Sequence, residues 1–184
     1  PTGFALPLLV SPALIGFAKL IKNRVVYMIF SVMVLLAGFG MMSVRDDLGF
    51  VWMLWLIVVV VVTDVLGYFA GRMIGGPKFW PAVSPKKTWS GTIFGWIGAA
   101  LVGVIFVIYT GASFELVGIS IAVAMASQMG DIAESAVKRM MGVKDSSTLI
   151  PGHGGVLDRF DGMLGAAVLL LLVGQFIGLP QGLL

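Results

Sequence analysis

Residues 48–65, LGFVWMLWLIVVVVVTDV, decide the fold. Leu48 to Thr63 carry no charge, and the run ends on Asp64. A helix needs about 20 mainly apolar residues to cross a bilayer. Outward from this run, five more stretches qualify: 4–18, 25–43, 92–110, 116–130 and 162–178. The first is the weakest, because it is short and holds Pro7 and Pro12. Composition agrees. The chain is 59% hydrophobic and 11% charged, with a mean hydropathy of +1.04. Soluble domains run near 25% charged residues. A water-soluble fold of 184 residues could not hide this much apolar surface. The expected fold is therefore all-α: one polytopic transmembrane bundle of about six helices, with two site-forming loops on one face.

The polar segments give that face a direction. Six crossings put residues 19–24, 66–91 and 131–161 on one side, with eleven of the twelve Lys and Arg. Arg45 alone falls on the other side. The excess of positive charge marks the cytoplasmic face. No Cys is present, which excludes disulfides and thiolate metal sites. The chain starts at Pro1 with no basic, cleavable leader, so no signal peptide is expected; a start without Met suggests residues upstream. Short linkers and the lack of internal repeats argue for a single domain.

The first basic loop reads GYFAGRMIGGPKFWPAVSPKKTWSG over 67–91. Its glycines permit tight turns and close approach to a ligand. Ser84, Lys86, Lys87, Thr88 and Ser90 offer hydroxyls and ammonium groups, a mix suited to phosphate. The plainer alternative is a basic loop resting on anionic lipid headgroups. Asp64 has two readings as well. A carboxylate at the bilayer centre costs about 2.5–3.5 kcal/mol or more and is usually functional. At the interface, it could simply cap a helix or pair with Arg72.

The second loop reads DIAESAVKRMMGVKDSSTLIPGHGGVLDRFD over 131–161. Asp131, Glu134, Ser135, Lys138 and Arg139 follow i, i+3, i+4, i+7, i+8, one face of a helix. That helix continues the span 116–130 and should stop near Gly142. Asp158 and Asp161 open the last span at i and i+3. Asp131, Asp158 and Asp161 thus lie at similar depth. Such carboxylates repel unless a cation intervenes. Oxygen-only ligands select Mg²⁺ or a similar ion, and one His without Cys serves zinc poorly. Ion pairing with Arg139, Arg159 and Lys144 is the alternative. His153, in PGHGG, is more often a structural hydrogen-bonder than a base.

Two blocks together carry a resemblance. Ser135-Ala-Val-Lys138-Arg139, Lys144-Asp145, Pro151-Gly-His153-Gly-Gly155 and Asp158-Arg159-Phe-Asp161 resemble the signature of the phosphatidate cytidylyltransferases, the CDP-diacylglycerol synthases. Asp64 to Gly91 is similar to that family's second block. The resemblance covers about residues 45–178, and members usually carry additional N-terminal helices, so this looks like a C-terminal portion or a short form. It implies that CTP and phosphatidate give CDP-diacylglycerol and pyrophosphate, by in-line attack of the lipid phosphate on the α-phosphorus. By motif, Asp131, Asp158 and Asp161 would hold metal, with Ser135 and Lys138 supporting catalysis beside them. Arg139 and Arg159 would neutralise phosphate. Ser84, Lys86, Lys87 and Thr88 would bind a substrate phosphate, Lys144 would join the substrate-binding groups, and Asp64, Arg72 and His153 would orient the others. One or two Mg²⁺ ions are expected; the resemblance also admits a monovalent ion and a homodimer. No nucleic-acid partner is expected. The expected location is a bacterial inner (plasma) membrane, with the site facing the cytoplasm.

Three other readings compete. A CDP-alcohol phosphotransferase would share Asp158-Arg-Phe-Asp161-Gly162, but its Ala-Arg pair and later Asp residues are missing from MLGAAVLLLLVGQF. An ion or proton-coupled transporter could use Asp64 and the acids, yet such sites tend to lie at the midplane within inverted repeats. A non-catalytic scaffold would not need every motif residue intact.

Overall fold

A computed structural model describes residues 5–20, 22–147 and 155–176. Six helices appear where six apolar stretches were expected. They are α1 (Ala5–Lys19), α2 (Arg24–Ser43), α3 (Phe50–Met73), α4 (Trp89–Thr110), α5 (Glu115–Met140) and α6 (Leu157–Phe176). A π-helical turn, Val44–Leu48, extends α2. Among the described residues, four helices are long and apolar enough to cross a membrane: Arg24–Leu48, α3, α4 and α5. The 15 described residues of α1, at 1.5 Å each, extend about 22 Å. α6 has a charged first turn, and its apolar run reaches the end of the described residues.

α3 packs chiefly on α4, α5 bridges α4 and α6, and α2 leans on α6. Lipid supplies little hydrophobic drive between helices, so small residues must let backbones approach. Gly91 shows this need. A Cβ there would stand 2.5 Å from the Gly67 carbonyl oxygen of α3. Gly130 of α5 likewise has room only for hydrogen, with the Asp161 carbonyl of α6 at 2.6 Å from where its Cβ would be. In the apolar core, buried Trp55 donates from Nε1 to Ser120 Oγ at 3.0 Å.

One segment differs from the sequence reading. The loop expected over 66–91 begins as helix, because α3 continues to Met73. Gly67 and Gly71 are tolerated within it because α4 crosses closely there. The chain then leaves the helix through Gly75 and Gly76, at φ +67° and +101°, where a side chain would be strained. Beyond these glycines it folds into a hairpin of β1 (Lys78–Trp80) and β2 (Ser84–Thr88), antiparallel, with Lys78 opposite Thr88 and Trp80 opposite Ser84. Pro81 leads from Trp80 into the turn, and Val83 N–H donates to the Trp80 carbonyl at 3.2 Å. Thr88 then caps α4, accepting from Gly91 N–H at 3.2 Å.

The end of α5 falls as expected. Gly142 takes φ +71°, and Val143 N–H reaches the Lys138 carbonyl at 3.0 Å, closing the helix. The end of α3, the hairpin, the end of α5 and the start of α6 therefore gather at one end of the bundle.

Candidate functional site

A cavity of about 620 Å³ opens between α3, α5, the start of α4 and the hairpin. Ligand pockets commonly fall between about 300 and 1,000 Å³. α3 contributes Asp64, Tyr68 and Arg72, at i, i+4 and i+8 on one face. The hairpin contributes Lys78, Lys86 and Lys87, and α5 contributes Gln128 and Asp131. Both Asp64 and Asp131 stand nine residues before the ends of their helices, Met73 and Met140. At 1.5 Å per residue, the acids lie about 14 Å inside those ends. The cavity is thus sunk into the bundle, and Asp64 opens onto it.

Lys87 crosses this cavity. Its Nζ meets Asp131 Oδ2 at 2.6 Å and donates to the Gln128 carbonyl at 3.3 Å. Asp131 Oδ1 accepts from Ser135 Oγ at 3.2 Å, one helical turn on. Gln128 is fixed in turn, accepting from Trp96 Nε1 at 3.0 Å and donating to the Thr92 carbonyl at 3.3 Å. On α3, Arg72 Nη1 donates to Tyr68 Oη at 3.0 Å.

A second polar cluster lies at the junction of α5 and α6. Lys138 Nζ meets Glu134 Oε2 at 2.5 Å and Asp158 Oδ1 at 2.7 Å. Asp158 Oδ2 accepts three further bonds: from Ser146 N–H at 2.9 Å, Ser146 Oγ at 2.9 Å and Gly155 N–H at 2.7 Å. Asp158 sits in the first turn of α6, ahead of its apolar run. Burial works to raise its pKa, but the Lys138 ammonium and the Gly155 and Ser146 donors hold it well below the usual carboxylate range.

Asp161 stands one turn after Asp158 on α6, and its backbone carbonyl packs against Gly130, the residue before Asp131. Its Oδ1 accepts from Gly162 N–H at 2.7 Å.

The residues named from the sequence divide accordingly. Asp64, Arg72, Lys86, Lys87, Thr88 and Asp131 line the cavity. Thr88 is also buried as a helix cap. Ser84 sits on the hairpin outside the lining. Ser135 contacts Asp131, whereas Lys138 and Asp158 pair with each other. Arg139 is exposed and donates to the Val143 carbonyl at 3.4 Å; Lys144 and Arg159 are also exposed. His153 lies outside the described residues. The trio Asp131, Asp158 and Asp161 is not gathered around one point. Among the described residues, no three His, Cys, Asp or Glu side chains are close enough to hold an ion together. Asp158 is turned to Lys138 and the loop, while Asp131 faces Lys87 and Ser135.

Sequence reasoning assigned no role to Glu134, Tyr68 or Gln128. Glu134 is 1% exposed, the most buried acid among the described residues. Its place on the polar stripe was the available signal. A Gln within the apolar run of α5 was the signal for Gln128.

Oxygen donors suit a hard cation here. Mg²⁺ usually takes one or two carboxylates plus substrate phosphates and waters, so a full protein cage is not required. Asp64 and Asp131 line the cavity, and the Asp161 backbone of α6 packs against Gly130 beside Asp131, so carboxylate oxygens are at hand for the ion expected.

Comparison with known proteins adds a family. The model of the Cytidylyltransferase family matches residues 2–177. A phosphatidate cytidylyltransferase of Brucella abortus is 43% identical over 152 residues, covering 79% of this chain and 56% of that protein. Its namesake in Staphylococcus saprophyticus is 38% identical over 165 residues, covering 85% and 64%. One in Helicobacter pylori is 40% identical over 132 residues, covering 71% and 49%. The chain thus spans between about half and two thirds of the length of these relatives. The names reported for these relatives are neither those of transporters nor of CDP-alcohol phosphotransferases.

Proposed function

The chain belongs to the Cytidylyltransferase family, and from that premise we propose that it carries the site that transfers the cytidylyl group of CTP to phosphatidate. A non-bridging oxygen of the lipid phosphate attacks the α-phosphorus of CTP. The new P–O bond forms as the bond from the α-phosphorus to its β-bridging oxygen breaks. Pyrophosphate leaves with that electron pair, and CDP-diacylglycerol remains. Such transfers depend on positioning and charge neutralisation more than on covalent help.

The observation that carries this reading is the cavity, where four cationic side chains face two carboxylates. Lys78, Lys86, Lys87 and Arg72 suit phosphates, and Tyr68 orients Arg72. Beside them, Val61, Val65 and Phe69 stand exposed on the adjoining stripe of α3. Acyl chains can lie along that stripe while the headgroup enters the cavity. Asp131 and Asp161 would hold Mg²⁺, with Ser135 fixing the Asp131 carboxylate. The bound ion would offset charge developing on the triphosphate. The excess of Lys and Arg at this end supports a cytoplasmic site, and the bacterial relatives support an inner membrane.

The protein in liposomes with CTP, phosphatidate and Mg²⁺ should release pyrophosphate and form CDP-diacylglycerol. Asp131→Asn should lower turnover about 100-fold or more, the scale of losing one electrostatic stabiliser. Full activity in that variant would overturn the assignment of Asp131.

A further inference from the structure

Lys87 lines the cavity and is held there by α5. Its Nζ is bound to Asp131 Oδ2 at 2.6 Å and to the Gln128 carbonyl at 3.3 Å, so it points into α5. The side chains of the pair are 24% and 29% exposed, and both residues line the cavity. The pair is more open than that of Lys138 and Asp158, whose side chains are 15% and 9% exposed. Lys87 is carried on β2, a five-residue strand paired with a strand of three. Arg72, Lys78 and Lys86 line the same cavity and would draw an anion towards it.

We propose that Lys87 is an exchangeable cation. It neutralises Asp131 in the empty cavity and moves to phosphate when a divalent ion takes Asp131, so that metal and nucleotide bind as one linked event. The inference rests on the metal reading above and adds a competition to it. A divalent ion must first displace the ammonium. The displaced ammonium is then available to the phosphates that the ion also holds. By linkage, whatever factor nucleotide adds to metal affinity, metal adds to nucleotide affinity.

Mn²⁺ can stand in for Mg²⁺, because its bound and free forms are separable by electron paramagnetic resonance. The intact protein in detergent is titrated with Mn²⁺, with and without CTP and without lipid. In the wild type, CTP should tighten Mn²⁺ binding. Lys87→Met removes the competitor and should tighten nucleotide-free Mn²⁺ binding about fivefold, the equivalent of a solvated ion pair. The same variant should show a smaller gain from CTP. Lys87→Arg keeps a cation and should resemble the wild type. Lys87→Gln repeats the test with a polar side chain should the Met variant fail to fold. Nucleotide-free binding in Lys87→Met and Lys87→Gln that is no tighter than in the wild type would overturn the exchange, while leaving the metal reading standing. A wild type that binds no Mn²⁺ even with CTP would overturn the metal reading and the exchange with it.

Discussion

Two lysine–aspartate pairs stand side by side in this bundle, with nearly equal distances and different surroundings. Lys87 meets Asp131 at 2.6 Å, and Lys138 meets Asp158 at 2.7 Å. The first pair joins a short hairpin to the middle of a helix and is partly open to the cavity. The second is closed. Lys138 also holds buried Glu134, and Asp158 also collects donors from Ser146 and Gly155. Both carboxylate oxygens of Asp158 are engaged within the protein, whereas the Asp131 pair is partly exposed at the cavity. Distance alone therefore does not say what an ion pair does. The second pair ties α5, its C-terminal loop and α6 together, while the first leaves both partners available to ligands.

Breaking the closed pair should have the largest effect. Lys138→Met leaves Glu134 and Asp158 without their shared cation, and losing one member of a buried pair costs about 3–5 kcal/mol. The thermal midpoint in detergent should drop steeply, read by intrinsic fluorescence. A midpoint like that of the wild type would erase the contrast between the pairs. Glu134→Gln should cost less, about 1–3 kcal/mol, because Asp158 still holds Lys138 while a buried amide goes unmatched. The same melting measurement ranks it between the other two variants. Lys87→Met should be the mildest, shifting stability by about 1 kcal/mol or less, even as its ligand binding changes. A loss of stability matching that of Lys138→Met would make Lys87 a structural tie.

Much of this was legible in the chain itself. Apolar runs of membrane length located the six helices, and the distribution of Lys and Arg located the polar end. The stripe Asp131, Glu134, Ser135, Lys138 and Arg139 anticipated that α5 runs on into a polar region, with Gly142 as its stop. The hairpin was not legible. Ser84-Pro-Lys-Lys-Thr88 lacks the β-branched and aromatic alternation of a strand, and it is paired because a neighbouring segment lies alongside. The length of α3 was hidden as well, since Gly67 and Gly71 resemble loop residues until α4 is seen to need them.

The grouping of the acids was the least legible feature. Asp131, Asp158 and Asp161 share a depth in the sequence, but depth does not set direction. Asp158 turns to Lys138, and Asp64 enters from another helix to face the same cavity as Asp131. The sequence by itself determined which segments are apolar enough to enter a membrane and at which end the charges collect, because hydrophobic length and charge bias are properties of a local stretch. Which lysine meets which aspartate was decided by the tertiary structure, because Lys87 and Asp131 lie far apart along the chain and meet where glycine-mediated crossings bring α3, α4 and α5 together.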